Sequence, residues 1–213
     1  MSIRENIMNL RNSIPKNVKI LVAAKTRDIS KIKEAINAGI KIFGENYVQE
    51  AEKKYIEIKK NNKIELYFIG YLQKNKINRA LNLFDVINID SYEIASEINK
   101  RTNKKIKVLV EVNISNEPQK HGCNPIQLIN LIKKLSELKN IEIIGLMAMA
   151  PYFDDAEKTR PYFKKMRLLF EKINNLKINN VKMGILSLGM SHDYKVAIEE
   201  GSNLIRIGSL IFD

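Results

Sequence analysis

A lysine follows a short apolar run near the N-terminus of the sequence. Lys25 ends the segment Leu21 to Lys25, which reads LVAAK. At the end of a buried strand, desolvation would disfavour the charged ammonium and lower its pKa. A neutral amine can attack an aldehyde and form a Schiff base. A lysine that extends into solvent, or one paired with Glu45, is the structural alternative, and position alone does not decide between the two.

A second group of reactive residue types stands near the C-terminus. Gly208 and Ser209 follow an apolar run, and a glycine there would let backbone N–H groups approach and cradle an anion. The hydroxyl of Ser191 could donate from a neighbouring loop. A tight turn at Gly208 and a helix N-cap at Ser191 are the structural alternatives. Arg206 needs a partner, which could be Glu111 or a ligand.

Cysteine and histidine are scarce in the sequence, and this limits the chemistry. The single cysteine, Cys123, cannot form an internal disulfide, which suits a reducing compartment. His121 and His192 are far apart and show no metal-ligand spacing, so we expect both to be exposed loop residues. We expect Cys123 to be an inert surface thiol, because no histidine is paired with it.

The chain is basic, with 213 residues, a net charge of +12 and a pI of about 9.6. Charge alone suggests nucleic acid, but the lysines are scattered and no nucleic-acid-binding motif is present. Pairs such as Lys53-Lys54 fall in predicted outer helices, and A/T-rich codons could supply Ile, Asn and Lys together. No apolar run reaches the ~20 residues that span a bilayer, and no signal peptide is visible. We therefore expect a cytoplasmic protein with no nucleic-acid or membrane partner.

Eight short apolar segments alternate with longer amphipathic ones along the chain. The predicted strands are 19–25, 40–44, 65–70, 85–89, 107–114, 142–149, 184–188 and 204–207. The predicted helices are 2–13, 30–38, 47–60, 73–84, one that begins at 91, 125–138, 156–174 and a short one that ends at 201. The helix at 2–13 has a capping box and one apolar face.

This alternation predicts an α/β fold, a single-domain (β/α)8 TIM barrel over residues 1–213 with an extra N-terminal helix. No helix is predicted after strand eight, so the N-terminal helix could cover the groove left there. An open doubly wound sheet is the alternative, disfavoured because no Gly-rich loop follows strand one. In a barrel, the strand ends bring Lys25, Asn46, Ser191 and the segment 206–209 to one rim, where active sites lie.

Seven segments of the sequence, in order along almost the whole chain, resemble the pyridoxal phosphate homeostasis protein family, also called the YggS/PROSC family. One such motif would be weak, but seven in order are specific. The segments are LVAAKT (21–26), FGENYVQEA (43–51), FIGYLQKNK (68–76), EVNIS (111–115), GLMAMAP (145–151), LSLGMSHD (186–193) and IRIGSLIF (205–212). Some positions depart from the family pattern, among them Tyr71, which replaces a small or histidine-type residue, and Ser209, which replaces a threonine.

The resemblance implies a barrel like the N-terminal domain of alanine racemase, with pyridoxal 5′-phosphate as cofactor and no metal. The site residues that it implies are Lys25 for the Schiff base, Arg206 facing the pyridine nitrogen, Gly208 and Ser209 for the phosphate with Ser191 assisting, and Asn46 along the ring.

The resemblance also implies what the protein does. A cation beside the ring nitrogen disfavours its protonation and makes the ring a poorer electron sink. We therefore expect a monomeric carrier in vitamin B6 homeostasis with little or no turnover, which could serve apo-forms of pyridoxal-phosphate enzymes. A pyridoxal-phosphate-dependent amino-acid racemase is the alternative, with Tyr71 and His192 as candidate bases.

Overall fold

A computed structural model describes every residue of the chain, Met1–Asp213. Eight parallel strands close into a barrel in sequence order, so the predicted (β/α)8 fold is confirmed. The strands are β1 (Lys19–Ala23), β2 (Ile42–Glu45), β3 (Glu65–Phe68), β4 (Val86–Ile89), β5 (Ile106–Val112), β6 (Ile141–Ala148), β7 (Val181–Ser187) and β8 (Leu204–Ile207).

Helices surround the barrel and connect its strands. They are α1 (Ile3–Asn12), α2 (Ile29–Asn37), α3 (Val48–Asn61), α4 (Ile77–Leu83), α5 (Tyr92–Lys100), α6 (Leu128–Ser136), α7 (Arg160–Asn175), α8 (Tyr194–Glu199) and α9 (Ser209–Phe212). Short 3₁₀ turns precede α4 and α7. None of these helices combines the length and the apolar character needed to cross a lipid bilayer.

Most strand residues are buried, which explains their largely apolar sequences, whereas the first five residues of β7 are exposed or partly exposed. One set of side chains fills the barrel interior: Leu21, Ile42, Tyr67, Val86, Leu109, Met147 and Leu204, with Met149 packed against them. The alternate residues pack outward against the helices in a single large apolar cluster. Inward-facing positions near the carboxyl ends of the strands, beyond the interior apolar layer, can present polar groups to a ligand at that rim.

The N-terminal helix α1 begins with the predicted capping box, in which Ser2 and Glu5 satisfy each other's backbone N–H groups. The prediction that no helix follows strand eight is wrong. The one-turn helix α9 follows β8, and α1 packs against both α2 and α9. The side-chain amide of Asn6 donates to the carbonyl of Ile211 at 3.1 Å. The groove at the end of the barrel is thus covered by two helices together.

One strand boundary differs from the prediction in a way that matters for the site. β1 ends at Ala23, so Lys25 lies in the turn that follows rather than in the strand. At the other end of the barrel, β7 begins at Val181, three residues before the predicted start, and its register with β6 is irregular between Ile143 and Gly145.

Candidate functional site

Lys25 lies at the carboxyl rim of the barrel, in the turn directly after β1. The N–H of Ala24 still continues the ladder to the carbonyl of Gly44 at 3.0 Å, and the N–H of Arg27 closes the turn onto the Ala24 carbonyl at 3.1 Å. Lys25 is exposed, so the expected burial of its amine is not found. The alternative pairing with Glu45 is also wrong, because Lys54 binds that carboxylate. The amine of Lys25 is therefore open to a ligand at the rim.

Ser191, Gly208 and Ser209 meet at the neighbouring part of the rim. The hydroxyl of Ser191 accepts from the backbone N–H groups of Gly208 and Leu210, both at 3.4 Å, and Ser209 begins α9. The sequence prediction that these three residues converge is therefore consistent with their positions. At 3.4 Å both hydrogen bonds are long, so the N–H groups are only weakly satisfied by the protein.

Gly208 keeps open space at this part of the rim. A Cβ atom on Gly208 would meet only the carbonyl oxygen and the Cβ of Ala23, at 3.5 and 3.8 Å, which are ordinary contacts. The packing of the protein itself therefore does not require a glycine here. A ligand that approaches the backbone at this point would require one, because a side chain would occupy its space.

Arg206 lies inside the barrel near the carboxyl end of β8 and is only 5% exposed. Its Nη1 donates to the carbonyl and the hydroxyl of Ser187 at 2.8 and 2.9 Å, and its Nη2 donates to the carbonyl of Ala148 at 3.0 Å. The suggested protein partner, Glu111, makes no hydrogen bond to it. Burial lowers the pKa of Arg206 to about 10, against the opposing attraction of Glu111 and Asp193.

Glu111, near the end of β5, is a second buried ionisable group inside the barrel. Its Oε2 accepts from the side-chain amide of Asn88 at 2.5 Å. Burial raises the pKa of Glu111, although the bond from Asn88 and the charge of Arg206 act in the opposite direction. The side-chain oxygen of Asn88 is buried and has no hydrogen-bond partner in the protein. The barrel interior just below the carboxyl rim is therefore polar and contains one acidic and one basic side chain, Glu111 and Arg206.

Asn46 follows β2 and lies at the edge of a cleft of about 470 Å³. Gly70, after β3, packs so closely on the Asn46 backbone that a Cβ atom would overlap with it. The glycine therefore fixes the place of Asn46 at the rim. On the far side of the cleft, the rings of Tyr71 and His121 stack with centroids 4.3 Å apart.

The remaining cysteine and histidines behave largely as expected. Burial raises the pKa of Cys123 to about 12, so the thiol stays protonated and inert, although it is half-buried rather than on the surface. His121 and His192 are exposed, and the ring of His192 contacts the carbonyl of Phe153 at 2.9 Å.

The structure also places an ion network beside Lys25 that the sequence analysis did not find. Lys54 was treated as one of many scattered lysines, yet it is only 9% exposed and pairs with Glu45 and Glu50. Its spacing from buried Ala51 and Ile58 on the same face of α3 was the signal that could have revealed it.

The comparisons with known proteins show the family and the fold of the chain. The family model described as "Alanine racemase, N-terminal domain" matches residues 1–213. A pyridoxal phosphate homeostasis protein of Aquifex aeolicus is 42% identical over 91% of this chain and 86% of its own length. The chain belongs to the pyridoxal phosphate homeostasis protein family. A member from Pasteurella multocida is 34% identical over all of this chain and 97% of its own length.

Solved structures show the same barrel. PipY of Synechococcus elongatus, solved without and with PLP bound, matches the whole chain with TM-scores of 0.93 and 0.91 at 31% and 30% identity. Alanine racemase of Clostridium difficile matches 99% of this chain with a TM-score of 0.85 at 16% identity, and this chain covers 56% of it. The last likeness concerns the fold alone.

Proposed function

We propose that this chain holds pyridoxal 5′-phosphate as a Schiff base on Lys25, and that it serves intracellular vitamin B6 homeostasis with little or no turnover. The relatives named for that role, and the PLP-bound PipY structure, support the proposal. The observation that carries it is a juxtaposition on adjacent strands. Val22 pairs with Ile207 across β1 and β8, so the open amine of Lys25 and the N–H groups around Gly208 stand side by side at the rim.

The residues at the rim fit the chemical groups of this cofactor. An aldehyde needs an amine, which Lys25 offers, and a bound pyridoxal phosphate supplies that electrophile. A phosphate needs N–H and O–H donors, which we assign to Gly208, Ser209 and Ser191. The Ser191 hydroxyl can rotate to donate to an anion, because a hydroxyl both donates and accepts. We assign Asn46 to the ring side of the pocket.

The buried charge of Arg206 affects whether a bound cofactor would catalyse a reaction. With a pKa of about 10, Arg206 stays protonated at neutral pH, and no carboxylate binds it directly. We assign Arg206 to the pyridine nitrogen, where its charge disfavours a second positive charge on the ring. An unprotonated ring withdraws electrons weakly, so carbanion chemistry at the substrate is slow. This is the physical reason to propose a carrier.

Covalent mapping tests the site assignment. The chain is mixed with pyridoxal phosphate, reduced with borohydride, digested and analysed by mass spectrometry. We expect the adduct on the peptide that contains Lys25, and its loss in Lys25→Ala. Lys19→Ala is the matched control, because Lys19 is an exposed lysine at the opposite end of the same strand. An adduct that persists on another lysine in Lys25→Ala refutes the assignment.

Hydrogen exchange at the α-carbon of amino acids separates the carrier from a racemase. The loaded protein is incubated with several amino acids in deuterated water, and deuterium uptake is followed by mass spectrometry. The carrier predicts uptake no faster than with free pyridoxal phosphate. Uptake well above that rate would establish the racemase reading, for which the exposed Tyr71 is the base to substitute first.

The proposal extends to the state and partners of the chain. We propose that residues 1–213 act as one cofactor-binding domain and as a cytoplasmic monomer, and that apo-forms of pyridoxal-phosphate enzymes receive the cofactor. Light scattering of the loaded protein tests the monomer. Transfer to an apo-enzyme in the presence of an excess of an aldehyde trap tests direct delivery, because free cofactor is then removed before it can bind.

A further inference from the structure

We propose that Lys54 and Glu50 are positioning residues that hold the turn carrying Lys25, an inference that rests on the proposed role of Lys25. Neither residue lies among the groups assigned to the cofactor. Both lie on α3, one helical turn apart, and they contact the backbone on either side of Lys25.

The amine of Lys54 is fully engaged. It donates to the carbonyl of Ala24 at 2.9 Å, to Oε1 of Glu45 at 3.2 Å and to Oε1 of Glu50 at 2.5 Å. An ammonium has three donors, so every one has a partner. A cation this buried would be costly without such partners. Glu45, the last residue of β2, is itself completely buried, so the amine is fixed to a rigid strand end.

The residue after Lys25 is held from the same helix. Thr26 has a φ of 63°, a left-handed conformation that is rare and strained for a β-branched residue. Its N–H donates to Oε1 of Glu50 at 2.6 Å, the same oxygen that binds Lys54. The strained turn therefore persists because α3 binds the carbonyl before Lys25 and the N–H after it.

A second lysine on α3 shows what a purely structural contact of this kind looks like. Lys59 donates to the carbonyl of Leu83 at 2.9 Å and to Asp85 at 2.7 Å, so it too joins a carbonyl and a carboxylate. Those contacts tie α3 to the start of β4, at the opposite end of the barrel from Lys25. The two lysines share a helix and a contact pattern, but only Lys54 reaches the turn that carries the reactive amine.

The contacts of Lys54 and Glu50 fix the orientation of the Lys25 amine. They hold it relative to the phosphate-binding donors that we assign to Ser191, Gly208 and Ser209, called the anion cradle below. Capture of pyridoxal phosphate is fast when the anion cradle and the Lys25 amine are already placed to match the phosphate and the aldehyde of the ligand. Loss of either contact would let the turn leave its left-handed conformation and spread the amine over many positions. A misplacement of about 1 Å can slow a reaction by about a hundredfold.

The experiment compares the complete chain with its Lys54→Met, Glu50→Leu and Lys59→Met variants. The first measurement is the rate of pyridoxal phosphate capture on Lys25, followed by visible absorption and assigned by reduction and peptide mapping. The second needs no cofactor and is the hydrogen-exchange rate of the Thr26 amide. We expect Lys54→Met and Glu50→Leu, which remove the donor and the acceptor, to slow capture by about tenfold to a hundredfold and to speed exchange at Thr26. Lys59→Met should change neither.

Lys54→Arg keeps the charge and the donors, and it should recover most of the capture rate. If Lys54→Met does not fold, Glu50→Leu decides, because Glu50 is partly exposed and its loss is better tolerated. Equal capture rates in the unaltered chain and in Glu50→Leu would overturn the positioning role, as would equal slowing by Lys59→Met. Failure of the unaltered chain to form any adduct on Lys25 would instead overturn the proposed function itself.

Discussion

Two buried cations, Lys54 and Arg206, are held in opposite ways. Lys54 lies between α3 and the strand ends, with the carboxylates of Glu45 and Glu50 at 3.2 and 2.5 Å. Arg206 lies inside the barrel and is bound by two carbonyls and one hydroxyl, with no carboxylate at hydrogen-bond distance. The charge of Lys54 is therefore neutralised within the protein, whereas that of Arg206 is oriented but not neutralised.

This difference shows that a buried cation can either hold the backbone in place or act electrostatically on a ligand. A cation compensated by its own carboxylates has no field left for a ligand, so it can only hold backbone in place. A cation bound by neutral acceptors still projects its charge, and in a low-dielectric interior that charge acts strongly on any group brought near it. The same barrel thus holds one buried cation that is compensated by carboxylates and one whose charge is free to act on the cofactor that we propose.

The largest expected effect is on folding stability. Lys54→Met leaves two carboxylates facing each other without a cation, and we expect it to lower the free energy of unfolding by about 3–5 kcal/mol. Arg206→Met leaves only neutral acceptors unpaired, and we expect a loss of about 1–3 kcal/mol. Urea denaturation of both variants at neutral pH measures the difference. A larger loss for Arg206→Met would contradict the comparison.

The next effect is the pH dependence of the compensated site. Burial raises the pKa of Glu45 to about 7 from an ordinary value of 4.5, despite the attraction of Lys54. The folded chain therefore holds this proton more tightly than the unfolded chain, so the associated stability is fully present below pH 4.5 and is lost as pH rises through 7.

Glu45→Gln cannot ionise, so this variant lacks that loss. Relative to the unaltered chain, it should gain up to about 3 kcal/mol between the two pH limits. Denaturant titrations across the range measure the gain. A relative stability that does not change with pH would show that burial does not control the ionisation of Glu45.

A smaller effect is expected when the charge of Arg206, which no carboxylate neutralises, is removed. Arg206→Gln keeps a hydrogen-bond donor but removes the cation, so protonation of the cofactor ring becomes easier. We expect the rate of α-hydrogen exchange with amino acids to rise by about tenfold over the unaltered loaded protein. Deuterium incorporation followed by mass spectrometry measures it. Lys54→Arg is the control and should show no rise, because its charge never faces the ligand.

The smallest effect is expected at the anion cradle. Ser191→Ala removes one donor to a phosphate and the acceptor for two long hydrogen bonds, which amounts to about 1 kcal/mol, or a five- to tenfold weaker affinity. Competition of inorganic phosphate against adduct formation measures that affinity. Ser30→Ala, which removes an exposed hydroxyl from α2, is the control. An unchanged affinity in Ser191→Ala would remove Ser191 from the cradle.

The fold was predictable because its main signal is the alternation of apolar strands with amphipathic helices, and most strand residues are buried. The rim residues were predictable for a related reason, since the ends of parallel strands must meet at one edge. The end of β1 was placed two residues late, because a turn stabilised by Glu50 and Lys54 cannot be read from the apolar run LVAAK.

Pairwise contacts across elements escaped the sequence analysis. The partner expected for Arg206 was Glu111, but the guanidinium binds backbone carbonyls. Every residue has a backbone carbonyl, so the sequence does not show which of them will bind an arginine. Lys54 was overlooked because a lysine on a helix usually faces solvent, and its burial depends on Glu45, nine residues earlier and on another element. The one-turn helix α9 is too short to leave a periodic pattern.

The most direct test of the central claim is a crystal structure of the chain grown with pyridoxal phosphate. We predict continuous density between the Lys25 amine and the ligand, with the phosphate against Gly208, Ser209 and Ser191 and the ring nitrogen facing Arg206. Density for the ligand on another lysine, or a phosphate bound away from the end of β8, would contradict the account.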